Sequence, residues 1–344
     1  MKDRKAKKAT EMKKVISVTI FTFILVFMAR GQAPSFRVMF YNTENLFDTL
    51  DDTLKNDEEF LPDGSRHWSM SRFNKKIDAI ARVIIAAGEW EAPAVVGLCE
   101  VENEGVIKRL IGCDLLEGVN YSFVHFDSPD KRGIDICLLY RNDVVKVISA
   151  ESWLPDISTN PGFESRNALF VRTEIFNDTL DFVFCHWPSR RGGLLASDDQ
   201  RKMIMETIAQ RTDSLRRITG KAEKIVMMGD FNCSPDFVAI KELAKRCGLV
   251  NLSAEPAAKG QGSYRFRGKW EMMDQVLVSE NMTGEIPAER KCYNASFCVF
   301  DKDFLLEDDP DYPGKRPFST YREYKWEGGY SDHLPVILTL RQNY

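Results

Sequence analysis

Six strand-like segments in this chain each begin or end on a polar side chain able to do chemistry. Lys224-Ile225-Val226-Met227-Met228 ends in Gly229-Asp230-Phe231-Asn232, and the last strand-like segment is entered through Tyr330-Ser331-Asp332-His333-Leu334-Pro335. Residues i and i+2 of an extended segment point the same way, so Asp230 and Asn232 can share a target, and Gly229 is expected to free the backbone to turn. Phe36 to Tyr41 delivers Asn42 and Glu44, Ala94 to Cys99 delivers Glu100, and Asp181 to Cys185 delivers His186. Met272-Met273 precedes Asp274 at the head of Gln275-Val276-Leu277-Val278. Any one of these alone reads as a turn, a helix cap or a locally satisfied side chain. Together they supply what hydrolysis of a phosphate ester needs: neutralised charge, a water held in line and a stabilised leaving oxygen.

Longer stretches carry a resemblance. Tyr41-Asn42-Thr43-Glu44-Asn45-Leu46-Phe47-Asp48, Gly97-Leu98-Cys99-Glu100-Val101-Glu102-Asn103, His186-Trp187-Pro188-Ser189-Arg190-Arg191-Gly192-Gly193, Met228-Gly229-Asp230-Phe231-Asn232 and Phe318-Ser319-Thr320-Tyr321 stand in order along the chain, ahead of the Ser331-Asp332-His333 motif. They resemble the endonuclease/exonuclease/phosphatase superfamily, in particular its deoxyribonuclease-like members and a bacterial, often secreted branch, from about Phe36 to Leu340. The resemblance implies that Glu100 is the principal metal-binding carboxylate with Asn42 beside it, and that Asp332 is a second. It implies that Asp230 orients or deprotonates the attacking water and that Asn232 donates to the phosphate. His333 then contacts the scissile phosphate, Asp274 fixes its tautomer and charge, and His186 is a second catalytic histidine. Arg166, just before a strand, resembles a phosphate-clamping arginine.

Physical chemistry supports these roles independently. A hard cation such as Mg²⁺ or Mn²⁺ takes oxygen ligands and keeps several waters, so Glu100, Asp332 and Asn42 with a substrate phosphate suffice. Without a dense His/Cys cluster, a zinc site is not expected. A structural Ca²⁺ site is left open by the sequence. An Asp beside a His favours the protonated imidazole, which suits a histidine facing phosphate. Of the four histidines, His67 and His125 read as structural or surface residues. Arg190 and Arg191 before two glycines are candidates to bind the substrate phosphate, as well as a solvated basic loop. Lys131-Arg132, Arg265-Phe266-Arg267 and Lys315-Arg316 are further candidate basic patches. Asp51-Asp52 and Asp57-Glu58-Glu59 read as a solvated acidic loop.

The expected activity is therefore a divalent-metal-dependent phosphoric ester hydrolase, most specifically a nuclease-like phosphodiesterase acting on nucleic acid. The alternatives are a phospholipid (sphingomyelinase-like) or inositol-phosphate phosphoesterase, and a catalytically weak binding protein. Basic Lys2 to Lys14, apolar Val15 to Met28 and Ala29-Arg30-Gly31-Gln32-Ala33 read as a signal peptide over residues 1–31, too short to span a bilayer, so export to a periplasmic or extracellular space is expected without a stable membrane anchor. Without those residues 39 basic and 49 acidic side chains remain, a net charge of −10. A domain so acidic is a poor non-specific polyanion binder and argues for metal assistance. No feature implies a protein partner, and a monomer is the expectation. All eight cysteines lie after residue 31; Cys292 and Cys298 are the closest pair, and three others sit in strand-like runs as small hydrophobes.

The elements that must position these groups are also legible. Arg72 to Ala87 has apolar residues at helical spacing, and Ser197 to Ile218 is a second long helical candidate. Ile134 to Tyr140 with Val144 to Ile148, and Ala168 to Phe176 with Leu180 to Cys185, read as hairpins, the second turning at Asn177-Asp178. With no linker or repeat, and motif residues from Asn42 to His333, residues 32–344 read as one domain. Hairpins and amphipathic helices suggest two stacked mixed sheets covered by helices. The resemblance makes this an α/β (α+β type) four-layer αββα sandwich.

Overall fold

The computed structural model describes residues 34–343 apart from 157, 159–162, 190–193, 220–223 and 284–291. The expected signal peptide and Arg190 and Arg191 lie outside the described residues.

Alternating and fully apolar runs build two six-stranded mixed sheets. The first contains β1 (Ser35–Leu46), β2 (Val95–Val101), β3 (Tyr121–His125), β4 (Asp135–Arg141), β13 (Cys292–Val299) and β18 (Val336–Asn343), in the order β13-β18-β1-β2-β4-β3. The second contains β5 (Val145–Trp153), β6 (Ala168–Ile175), β7 (Asp178–His186), β8 (Ile225–Asp230), β9 (Leu249–Asn251) and β12 (Asp274–Ser279), in the order β5-β6-β7-β8-β12-β9. Each sheet has one parallel pair at its centre, β1 with β2 and β7 with β8. The small hairpins β10 (Tyr264–Phe266) with β11 (Lys269–Glu271), β14 (Leu306–Asp308) with β15 (Lys315–Pro317), and β16 (Tyr321–Arg322) with β17 (Lys325–Trp326) complete the strands.

Side-chain alternation sorts the apolar residues into three layers of core. Helices α1 (Met70–Gly88) and α2 (Glu104–Ile111) lay Ile77, Ile80, Ile84 and Ile107 on Met39, Val96, Leu98 and Leu139 of the first sheet. Phe40, Leu138 and Leu338 meet Leu169, Phe182, Phe184 and Val226 between the sheets. Outside the second sheet, Met227 and Leu277 pack under Ile204 and Ile208 of α3 (Leu194–Thr219) and Ile240 and Leu243 of α4 (Val238–Arg246). A one-turn helix, α5 (Ala254–Ala258), follows β9. The result is the expected αββα order. The sheets approach so closely that a Cβ on Gly97 would lie 2.3 Å from the Phe184 ring.

The structure corrects three local expectations. Ile134 to Tyr140 and Val144 to Ile148 do not pair: β4 already has β2 and β3 on its two edges, so the chain turns at Asn142-Asp143-Val144 and enters the other sheet as β5. The β6–β7 turn is Phe176-Asn177, one residue earlier than expected; both have positive φ (51° and 60°), the geometry of a type I′ turn. Phe176 tolerates that conformation beside Phe36, against whose ring it packs edge-on at 5.9 Å. Gly229 sits within β8 and serves close approach, not turning, since a Cβ there would lie 2.3 Å from the Cys185 carbonyl oxygen.

The acidic loop is also less solvated than expected. Asp57 is buried and its Oδ2 accepts the Asp52 backbone N–H at 3.0 Å. Nearby Glu102 is pushed up to about 8 by burial, with Asp48, Asp57 and Asp52 adding to the rise against the Asp48 backbone N–H it accepts. His125 bonds Asp135 at 3.1 Å with both side chains buried, a structural pair as expected. Among the seven cysteines whose side chains are described, no disulfide joins any two; the side chain of Cys292 is outside the described residues.

Candidate active site

The carboxyl ends of the two parallel pairs open on the same side of the molecule, where open α/β sheets generally bind ligands. β1 brings Asn42, β2 brings Glu100, β7 ends on His186 and β8 ends on Asp230. The antiparallel neighbours start there: β12 begins with Asp274, and β18 follows Asp332 and His333. A cleft of about 380 Å³ is lined by Asn42, Glu100, His186, Asp230, Asn232, Asp332 and His333.

The hydrogen bonds and close ion pairs that cross between the sheets in this cleft join complementary groups. His333 Nδ1 lies 2.6 Å from Asp274 Oδ2, which also accepts the Ser263 hydroxyl at 2.6 Å. Asn42 Nδ2 donates to Asp230 Oδ2 at 3.1 Å, and the Asn232 backbone N–H donates to Asp230 Oδ1 at 2.8 Å. His186 Nε2 stands 3.9 Å from Glu100 Oε1 and 3.7 Å from Asp230 Oδ2. His333 Nε2 is 3.8 Å from the same Asp230 oxygen. The backbone is bent to make this fit: Glu100 has φ of 60° at a β-bulge, and its Oε2 accepts the Asn45 N–H at 2.9 Å. Ser331 links the two ends of the chain, donating to the Asn42 carbonyl at 2.7 Å and accepting the His333 N–H at 3.1 Å.

These neighbours set the charges. Burial alone would push His333 down, but Asp274 and Asp230 beside it and the Asp274 hydrogen bond hold it well above the usual imidazole value. Burial raises Asp230 to about 6, with His333 opposing the rise. Burial, then Arg166, Arg132 and His333, push His186 well below its ordinary value, so it is neutral near pH 7. Thus the cleft presents one protonated imidazole, one neutral imidazole and a carboxylate that can exchange a proton near neutrality.

Glu100, Asp332 and Asn42, all oxygen-bearing, line this cleft with no thiolate among the described lining residues, a set that fits a hard divalent cation. Glu100 suits it best, because Oε2 is held by Asn45 while Oε1 faces His186 at 3.9 Å. Two groups of three metal-capable side chains are compact among the described residues, Asp230-Asp274-His333 and His125-Asp127-Asp135. In the first, Asp274 already occupies His333 Nδ1, which makes it a hydrogen-bonded dyad beside a carboxylate and not a ligand cage.

One sequence expectation does not reach the cleft. Arg166 is buried, with one guanidinium nitrogen on Asp130 Oδ2 at 2.9 Å and another on the Trp187 carbonyl at 2.8 Å. It is spent inside the protein and cannot clamp a phosphate there. Arg132, marked in the sequence only as part of a basic patch, lines the cleft instead. Ser263 and Tyr264 belong to no motif in the sequence, and Ser331, part of the Ser331-Asp332-His333 motif, acts through its hydrogen bonds. Tyr264 lies over His333 with ring centres 4.8 Å apart, a contact made by the β10–β11 hairpin and invisible to any local motif.

A family model described as the endonuclease/exonuclease/phosphatase family matches residues 37–342. The chain belongs to the endonuclease/exonuclease/phosphatase family. It is accordingly a metal-dependent hydrolase of phosphoric esters. Solved structures share the fold at low identity. A humanized D. rerio TDP2 is 12% identical with a TM-score of 0.53, over 89% of this chain and 99% of that one. The human nocturnin catalytic domain with bound sulfate is 15% identical with a TM-score of 0.53, over 90% and 96%. A Bacteroides thetaiotaomicron mannosyl-6-phosphatase is 13% identical with a TM-score of 0.53, over 90% and 100%. Comparison with curated protein sequences finds no match.

Proposed function

We propose that this family member is an exported, nuclease-like phosphodiesterase that hydrolyses nucleic-acid phosphodiester bonds with Mg²⁺ or Mn²⁺. The observation that carries the choice of nucleic acid is the aromatic flank of the cleft: Tyr264 lies on His333, and Phe266, 49% exposed, lines the same opening. Aromatic faces beside a phosphate site suit the bases on either side of a scissile bond. TDP2 is among the structures that share the fold, and one such structure is described as holding single-stranded DNA product.

Glu100, Asp332 and the Asn42 amide oxygen would hold the ion, which when bound supplies positive charge to the phosphoryl oxygens. Asp230, fixed by Asn42 and the Asn232 N–H, accepts the proton of the attacking water. Protonated His333, steered by Asp274, donates to a non-bridging phosphoryl oxygen, and Asn232 donates beside it. Neutral His186 completes the second side of the phosphate. The basic and apolar N-terminus supports export, and no helix among the described residues is long and apolar enough to cross a membrane. A monomer is the assembly proposed.

The test is nicking of supercoiled plasmid by protein lacking residues 1–31, with Mg²⁺ or Mn²⁺, beside an EDTA control and His333→Ala. Metal-dependent nicking that the variant loses is the expected result. An intact plasmid together with hydrolysis of mannose 6-phosphate, an inositol phosphate or sphingomyelin would overturn the nucleic-acid reading.

A further inference from the structure

Besides the ion, the proposed machinery uses acids, amides and histidines, and a phosphoryl group gains from a positive charge on the protein itself that no proton transfer can remove. Among the described residues lining the cleft, Arg132 alone carries one. We propose that Arg132 receives the substrate phosphate, and that Asp130 and Arg166 are positioning residues that hold it at the cleft.

Arg132 lies in the loop between β3 and β4, in the run Ser128-Pro129-Asp130-Lys131-Arg132-Gly133. Its side chain is 40% exposed, so it is open to a ligand, while its backbone N–H donates to Asp130 Oδ1 at 2.9 Å and Nε stands 3.6 Å from the same oxygen. Asp130 is itself buried and is gripped on its other oxygen by buried Arg166 at 2.9 Å. Arg166 then reaches the Trp187 carbonyl, which also accepts the Asn232 side-chain amide at 2.9 Å. A continuous chain of contacts therefore runs from Arg132 in the first-sheet loop to Asn232 beyond the end of β8.

The loop is fastened from its other side as well. Lys55 Nζ donates to the carbonyls of Ser128 and Asp130, both at 3.0 Å, and the Asn56 N–H donates to the Lys131 carbonyl at 2.7 Å. Gly133, with φ of +71°, lets the chain turn directly after Arg132 against the Lys55 stem. A flexible surface arginine would need none of this. A guanidinium that must meet a phosphate in one orientation gains from such preorganisation, because its fork is rigid and its binding is bidentate.

The inference rests on the phosphoester chemistry of the family and not on nucleic acid as the substrate, so its test uses no substrate. Inorganic phosphate is titrated calorimetrically into protein lacking only residues 1–31, with and without Mg²⁺, for the unaltered sequence and for Arg132→Ala, Arg132→Lys, Asp130→Asn and Arg166→Met. Arg132→Ala should weaken phosphate binding roughly 10-fold or more, the scale of a lost charge-assisted bidentate contact, and Arg132→Lys less, since a point charge replaces a fork. Arg166→Met and Asp130→Asn should weaken it about 3-fold or more through loss of preorganisation, measured well below each variant's melting temperature. Millimolar guanidinium should restore binding to Arg132→Ala. Phosphate affinity within twofold of the unaltered protein in Arg132→Ala overturns the assignment. Were the alanine variant to fail to fold, phosphate affinity in the neutral Arg132→Gln within twofold of the unaltered protein would do so. An Arg166→Met protein that melts lower but binds phosphate normally overturns the positioning role.

Discussion

The two sheets deliver their functional side chains from equivalent places but in opposite chemical kinds. In each, a central parallel pair ends at the cleft and an antiparallel neighbour starts there. The first sheet contributes Asn42, Glu100 and His333; the second contributes Asp230, His186 and Asp274. Amide faces carboxylate, carboxylate faces imidazole, and imidazole faces carboxylate, at 3.1, 3.9 and 2.6 Å. No sheet holds a complete unit, so the shifts of His333, Asp230 and His186 arise from the burial and the neighbouring charges that stacking one sheet on the other creates. The sheets differ in how they aim. The first needs left-handed backbone at Glu44, Asn45 and Glu100, whereas the second presents Asp230 and His186 from regular strand ends and turns only at Asn232. The irregular side is the one that carries the proposed metal ligands, where a β-bulge re-aims Glu100.

Breaking the shortest cross-sheet contact should have the largest effect. His333→Ala and Asp230→Asn are each expected to lower turnover at saturating metal by at least roughly 10²-fold, the scale of a lost positioned acid, base or charge. Rates near normal in both variants would remove these residues from the mechanism. The middle pair separates the two sheets more finely. Glu100→Gln should raise the Mg²⁺ concentration needed for half-maximal rate roughly 10- to 100-fold, while His186→Gln should lower turnover with little change in that concentration. A metal titration with the two shifts reversed would exchange their roles.

The smallest effect is expected where the first sheet holds acids without histidines. Glu102, raised to about 8 chiefly by burial, keeps its proton in the folded state at pH values where the unfolded chain, near 4.5, has lost it. Because the folded state binds that proton more tightly, Glu102 costs stability increasingly as pH rises from about 4.5 to about 8, and lowering the pH through that window restores it. Glu102→Gln should melt higher than the parent at pH 8 and lose the advantage near pH 5. A constant difference in melting temperature across that range would show that Glu102 does not titrate there.

Much of this site was legible from local pattern. Apolar runs of strand length ending at Asn42, Glu100, His186, Asp230 and before Asp274 already placed polar groups at strand ends, because burial of a strand and its termination by polar residues are encoded within a few positions. The helices appeared within a few residues of their expected bounds for the same reason: Arg72 to Ala87 became Met70–Gly88, and Ser197 to Ile218 became Leu194–Thr219. What the sequence by itself determined, then, was which residues stand at strand ends and which faces are apolar. Only the tertiary structure decided that β4 and β5 part into different sheets, that Arg166 is consumed by Asp130 and Trp187 while Arg132 reaches the cleft, and that Asp57 is buried. Those outcomes depend on which edges are already paired and which charges meet across 30 or more residues. A strand's hydrophobic period names its buried face but not its neighbour, and an arginine's chemistry is the same in sequence whether it meets a substrate or a buried aspartate.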